Sequence, residues 1–403
     1  MERRRTCVLR MHEAQTRLNW GGRSTSLALA EILEVHADRT IVSTIGAPHI
    51  LGQLGDIDVR SDGHSVFEMV DDLAVQIAAP HPTTEKLADV RAAITAADEL
   101  VVNGEGDFIL TERLTLVRTM AMMRAAKLLG KPVYLVNSIL SYATGRSGAD
   151  ALSHEEVGRT LAQCDAVCYR DPASLTLHRE LYPDVPASWL PDALFAWAPH
   201  AATSVADRVG FSPRSEGLPL PVQRLVSGDD PYVVLSGTSL AGVDPQTFRS
   251  TVAALGEHLA HDGTRLVFAG SDTPDRALAE SLAGLDVHVV DPRVPLTAAS
   301  LLLWNAAAMI SGRYHPSILA SLGGTPFLLM ASNSHKTRSL LDVVDSGWRG
   351  AEQPFFTGGP EQAADLARSV SEVRGRHGVR SHVRRSARAN GTAVARGVTD
   401  LLS

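Results

Sequence analysis

Short apolar, β-branched runs alternate with helix-like stretches along most of this 403-residue chain. In the first half, "TCVLRM" (6–11) precedes the helical pattern "STSLALAEIL" (24–33), and "TIVSTIG" (40–46) follows it. The series continues with "ELVVNGEGD" (99–107), a helix near 111–129, "KPVYLVNSIL" (131–140), a helix near 151–163 and "AVCYRD" (166–171). Strands that are apolar along their whole length are buried on both faces, so strands separated by helices predict a parallel sheet covered on both sides. Residues 1–205 are expected to form one doubly wound N-terminal domain.

Between 206 and 230 the pattern lapses into a segment rich in Pro, Gly and Ser, which reads as a linker. It restarts with "YVVLSG" (232–237), a helix over 246–260, "RLVFAGS" (265–271), a helix over 275–283 and "VHVVD" (287–291). A helix over 297–307, "AMISG" (308–312), a helix over 316–322 and "PFLLMA" (326–331) complete it. A second Rossmann-like domain is expected over 231–370, with a basic helix over 371–403. The fold class is therefore α/β, two doubly wound domains facing a cleft. Ligands of such sheets bind where the strand C-termini open outward.

Length supports two domains, since single cores stop growing well below 403 residues. Hydrophobic residues at 44% and charged residues at 21% are those of a folded globular chain. The longest nearly apolar stretch, "AASLLLWNAAAMI" (298–310), is interrupted by Asn305 and too short to span a bilayer, so no membrane span is expected. "MERRRTCVLRMHEAQ" lacks the apolar core of a signal peptide, so the expected location is cytoplasmic. Cys7, Cys164 and Cys168 suggest neither a disulfide framework nor a zinc site, and no metal is expected. Net charge of −7 argues against nucleic acid as a partner. Arg374, Arg376, Arg380, Arg384, Arg385 and Arg388 crowd the C-terminal segment, either as a solvated helix face or as a contact for an anionic partner or the other domain.

The chemistry concentrates at strand-to-helix junctions. "ISGRYHPSILASLGG" (310–324) puts Arg313, Tyr314 and His315 between a strand ending at Gly312 and a helix that Pro316 helps open. Helix N-termini attract anions, guanidinium forks onto carboxylate or phosphate, and imidazole moves protons near neutral pH. A capping or packing role for the histidine is the alternative. Lys336 and Arg338 sit at the next such junction, and "CYRDPASLTLHREL" puts Arg170 and Asp171 at one in the first domain. "GEGDF" lacks the spacing of either glycine-rich nucleotide loop, and the remaining histidines show no paired metal-ligand spacing. The tryptophans read as core, except Trp20, whose glycine-rich loop would suit an acceptor ring.

These stretches, in this order, resemble the polysaccharide pyruvyl transferase family over roughly residues 6–345. The matching pieces are "LNWGGRSTSLAL" (Asn19–Leu29), "VVNGEGDFIL", "YRDPAS" with "LPDALFAW" (190–197), and "ISGRYHPSILASLGGTPFLLMASNSHKTRSLL". The resemblance implies a glycosyltransferase-B architecture and transfer of the enolpyruvyl-derived unit of phosphoenolpyruvate onto a sugar, glycan or other hydroxyl as a ketal. It implies His315 as acid/base, with Arg170, Arg313 and Lys336 holding the donor. Acceptor-side candidates are Asn19, Gly21, Gly22, Arg23, Asn103 and Glu105. No cofactor beyond phosphoenolpyruvate as co-substrate is expected, and a homo-oligomer is compatible with the sequence. The early loop departs from the family's Asn-x-Gly-Asp pattern, having Gly22 and Arg23 where an acidic group is expected, which leaves an unusual sugar, a phosphorylated acceptor or a non-sugar open. A nucleotide-sugar glycosyltransferase and a non-catalytic anion-binding protein on the same fold are the rival readings.

Overall fold

The structure, a computed structural model of the full chain, describes residues 3–9, 18–46, 66–111, 114–142, 151–197, 217–228, 230–346 and 352–403. Contacts divide the chain into two compact units. The first comprises residues 1–14, 26–193 and 393–403; the second comprises 15–25 and 194–392.

In the first unit the strands are β1 Arg4–Leu9, β2 Arg39–Ile45, β3 Glu99–Glu105, β4 Ile109–Leu110, β5 Val133–Ser138, β6 Ser141–Tyr142, β7 Ala166–Tyr169 and β8 Ser188–Trp189. Six form one parallel sheet in the order β2-β1-β3-β5-β7-β8, and β4 pairs with β6 in a separate two-stranded ribbon. All seven residues of β3 are buried, as its unbroken apolar pattern requires. Helices Met69–Ala78 and Glu85–Thr95 lie in a region for which the sequence reading named no element.

The second unit adds β9 Tyr232–Thr238, β10 Arg265–Ala269, β11 His288–Val290, β12 Ala308–Gly312 and β13 Phe327–Leu329, parallel in the order β11-β10-β9-β12-β13. Chain order reverses between β9 and β12, the point at which doubly wound sheets open a ligand crevice. Met309 pairs with Phe327 and Gly312 with Thr238, so the C-terminal ends of β9, β12 and β13 lie side by side. Phe248, Phe355 and Phe356 interlock in the core beneath, with ring centroids 5.1–6.0 Å apart.

Two expectations change. The segment read as a linker contains a helix, Leu220–Ser227, that buries Val222, Leu225 and Val226; its apolar spacing was masked by flanking Pro and Gly, while 206–216 and Asp229 lie outside the described residues. The basic C-terminal helix is two helices, Gly359–Gly375 and Val379–Leu402, parted at Gly378, whose φ of +71° suits glycine alone at low cost. Two of its arginines are engaged inside the second unit. Arg380 donates to the carbonyls of Trp304 and Ala306, and Arg384 to that of Gly323, so each closes the C-terminal end of a helix.

Candidate functional site

The strand edge of the second unit gathers the most chemistry. Arg313 is the N-cap residue of helix Tyr314–Gly323, in extended conformation directly after β12. Ser311 Oγ accepts from the Arg313 amide at 3.1 Å and donates to its carbonyl at 2.8 Å, fixing the backbone at the junction. The Arg313 guanidinium then reaches two carboxylates, Asp275 Oδ1 at 2.6 Å and Asp272 Oδ2 at 3.3 Å. Its Nε is buried without a hydrogen-bond partner among the described residues.

Asp275 is fully buried, and burial pushes its carboxyl up against the opposing pull of Arg313. Its second oxygen accepts from the amides of Ser271 and Asp272 at 2.9 and 3.2 Å. The carboxylate lies over Gly237 at the end of β9, where a Cβ would come within 1.9 Å of Oδ1. Glycine is therefore needed there for the ion pair to form. Sequence reasoning missed Asp272 and Asp275 because "GSDTPD" reads as a turn; the available signal was a pair of carboxylates at a strand end facing a cation at the next strand but one.

The early Asn-x-Gly stretch belongs to this unit, not to the N-terminal one in which the acceptor candidates were expected. Asn19 caps helix Trp20–Glu31: its side-chain oxygen accepts from the Gly22 amide at 3.0 Å, and its Nδ2 donates to Asp272 Oδ2 at 2.9 Å. Trp20 is fully buried, with Nε1 donating to the Pro292 carbonyl at 2.9 Å, so it anchors the helix and does not present itself to an acceptor. Arg23 is also buried and donates to the Val294 carbonyl at 3.3 Å. Gly21 backs directly onto His315, since a Cβ there would sit 2.2 Å from the ring Nδ1. This stretch therefore forms a wall against which the histidine rests. Position in the chain hid this, because the contact partner lies almost 300 residues away.

His315 is half-buried, with its ring edge-on to Tyr314 at 5.2 Å between centroids. Lys336 opens helix Lys336–Val343 after β13, and its Nζ donates to Asn333 Oδ1 at 2.7 Å. The same oxygen accepts from Ser239 Oγ at 2.9 Å, joining the edges of β9 and β13.

The first unit presents a different edge. Arg170 follows β7 and is 1% exposed, with Nη1 donating to the fully buried Asp192 at 3.2 Å. Asp171 caps helix Pro172–Leu181 by accepting from the Ser174 amide at 2.8 Å. "YRDPAS" and "LPDALFAW" are therefore two halves of one buried ion pair. Next to it in strand order, the Ala193 amide donates to Asn137 Oδ1, Asn137 Nδ2 to Asn103 Oδ1, and Asn103 Nδ2 to Glu105 Oε1, at 2.9, 2.9 and 3.1 Å. Glu105 and Asn137 hold φ of +41° and +54°, a conformation that costs non-glycine residues energy and collects at functional sites. Gly104 leaves room for Ser138, which a Cβ would approach to 2.5 Å.

Among the described residues no group of three or more His, Cys, Asp or Glu side chains could hold a metal, and no helix is long and apolar enough to cross a membrane. Burial pushes the thiols of Cys7 and Cys168 up to about 11 and that of Cys164 to about 12, which leaves them as unreactive thiols at neutral pH.

Two parallel doubly wound sheets with polar strand edges define an α/β protein of the glycosyltransferase-B type. Solved structures agree: UDP-N-acetylglucosamine 2-epimerase from Neisseria meningitidis, bound to UDP-GlcNAc, matches with a TM-score of 0.54 at 14% identity, over 99% of this chain and 98% of its own. The Rickettsia bellii 2-epimerase matches at 0.55 and 12% identity, over 99% and 96%. CalG4, the calicheamicin glycosyltransferase, matches at 0.51 and 15% identity, over 100% and 99%. No curated protein matches the sequence. The polysaccharide pyruvyl transferase family model matches residues 49–334, and the chain belongs to that family of transferases.

Proposed function

We propose that the protein transfers the enolpyruvyl-derived unit of phosphoenolpyruvate onto hydroxyls of a sugar or glycan, forming a ketal and releasing phosphate. The observation that carries this reading is the β12 edge, where a half-buried histidine and a carboxylate-held arginine share one helix start in a chain of this family.

Phosphoenolpyruvate carries a phosphate and a carboxylate on a small frame, so it needs cations fixed at defined points. Lys336 supplies a compact charge at the β13 edge, and Arg313 supplies its remaining N–H and the field of a guanidinium that Asp275 holds in place. His315, as imidazolium, gives a proton to the methylene carbon. Carbon 2 then becomes oxocarbenium-like, an acceptor hydroxyl adds to it, phosphate leaves, and a second hydroxyl closes the ring of the ketal. The methylene gains one proton and becomes a methyl group, the two hydroxyls lose theirs, and the phosphate carries away the C–O bond electrons. General acid help of this kind is worth ~10²–10⁴-fold. Gly21 keeps the imidazole seated against the start of helix Trp20–Glu31.

Arg170 enters this reading differently from Arg313. Sealed against Asp192, it anchors the edge on which Asn103 and Glu105 stand, and we assign those two to recognition of acceptor hydroxyls. No metal or organic cofactor takes part in the scheme. Isothermal titration with phosphoenolpyruvate tests it: the wild type should bind saturably, and Lys336→Ala should weaken binding by ~1.5–3 kcal/mol, the range for hydrogen bonds to charged groups. Binding of UDP or GDP with no response to phosphoenolpyruvate would instead favour the nucleotide-sugar reading that the epimerase and glycosyltransferase folds suggest.

A further inference from the structure

Helix Leu114–Leu128 of the first unit is apolar almost all round, burying Leu116, Val117, Met120, Met122 and Met123, yet it also buries two arginines. Arg124, 3% exposed, is fully compensated. Its Nη1 meets Asp71, its Nη2 meets Glu156 Oε2 at 2.6 Å, and its Nε donates to Thr160 Oγ1 at 3.0 Å. Arg118, 4% exposed, has no such set: Nε and Nη1 are both buried without a hydrogen-bond partner, and no carboxylate pairs with it among the described residues. Burial alone acts on its guanidinium, pushing it down, but arginine stays charged in any folded protein. A buried cation without a counter-charge is among the costlier features a fold can carry.

Thr115 lies one turn earlier on the same helix face, and its Oγ1 is likewise buried without a partner. The helix follows β3 and β4, so both residues stand in its N-terminal half, toward the C-terminal edge of the sheet. There the helix field also favours negative charge. Thr119, the next residue, is spent on Asp107 Oδ2 at 2.9 Å in the turn after β3. Nη2 is not among the guanidinium nitrogens sealed without a partner.

We propose that Arg118 and Thr115 form an oxyanion site on the first unit that receives a phosphoryl group, as free phosphate or on a phosphorylated acceptor. The guanidinium forks onto two oxygens and the threonine hydroxyl donates to the third. This site belongs to the first unit, whereas Arg313, His315 and Lys336 belong to the second, and it stands whether or not the donor is phosphoenolpyruvate.

Isothermal titration of inorganic phosphate and of glucose 6-phosphate, on the full chain carrying Lys336→Ala to weaken the other anion site, tests the proposal. Saturable binding of either probe is expected, about 10- to 100-fold weaker after Arg118→Met. Arg118→Lys, which keeps the charge without the fork, should bind with intermediate affinity, and it remains readable should the methionine variant not fold. In phosphate-free buffer Arg118→Met should unfold at the same or a higher temperature, because it removes a charge that nothing offsets. Binding of the hexose phosphate would assign the site to a phosphorylated acceptor; binding of inorganic phosphate alone would make it a free-oxyanion site. Neither probe binding in an Arg118-dependent way would overturn the proposal, as would a lowered unfolding temperature in Arg118→Met with phosphate affinity unchanged.

Discussion

Arg170 and Arg313 hold equivalent places in sequence, each directly after a parallel strand and before a helix, yet the two edges treat them in opposite ways. Arg170 is 1% exposed and paired with a carboxylate that is itself fully buried. Arg313 divides its guanidinium between the buried Asp275 and the partly exposed Asp272, and its neighbours His315 and Lys336 stay half-open. What differs is the anion: beside Arg170 it is fully internal, and beside Arg313 it is shared between the internal Asp275 and the partly exposed Asp272.

The largest expected effect breaks the internal pair. Arg170→Ala removes the buried cation that faces the internal Asp192, which should cost about 3–5 kcal/mol of stability in urea unfolding. Replacing the pair together, as Arg170→Met with Asp192→Leu, should recover most of that loss. If Arg170→Ala instead left stability intact and abolished phosphoenolpyruvate binding, the two edges would not differ as described.

A smaller effect falls on the other edge. Asn19→Ala removes the cap of helix Trp20–Glu31 and the contact to Asp272, and should lower stability by about 0.5–2 kcal/mol. It should also loosen the seat of His315, so turnover should fall more than donor affinity. Asn19→Asp keeps an acceptor for the Gly22 amide but sets a second carboxylate against Asp272, and should restore the cap without restoring the contact.

The smallest effect is a pH dependence of the first unit. His178 is buried, accepting from the Tyr169 hydroxyl at Nδ1 and donating from Nε2 to the Val185 carbonyl, at 2.9 and 2.7 Å. Burial pushes it below its ordinary value. The folded state therefore binds this proton less readily than the unfolded chain, so the stability that neutral His178 contributes is present above about pH 6.5 and lost as pH falls below it. The urea midpoint should drop between about pH 7 and pH 5, and His178→Gln should flatten that part of the profile. An unchanged slope in the variant would assign the acid sensitivity to other groups.

The alternation of strands and helices was legible because parallel strands, covered on both faces, carry unbroken apolar runs. Arg313, His315 and Lys336 were legible for a related reason: polar residues at the end of such a run stand out. What the residues pair with was not. Asp192 lies 22 positions after Arg170, Asp275 lies 38 before Arg313, and Gly21 meets His315 from the far end of the chain. Each of these contacts is set by tertiary packing and not by local spacing. The partners of Arg380 and Arg384 were hidden for the same cause, since the helix ends they close are formed by residues 304, 306 and 323.

The most direct test of the central claim is to run the reaction in deuterium oxide with phosphoenolpyruvate and a glycan acceptor, following phosphate release and the mass of the ketal product in wild type and His315→Ala. Protonation of the methylene by His315 predicts one deuterium in the ketal methyl group and a rate at least ~10²-fold lower in the variant. A His315→Ala chain that releases phosphate and forms ketal at the wild-type rate would contradict the account.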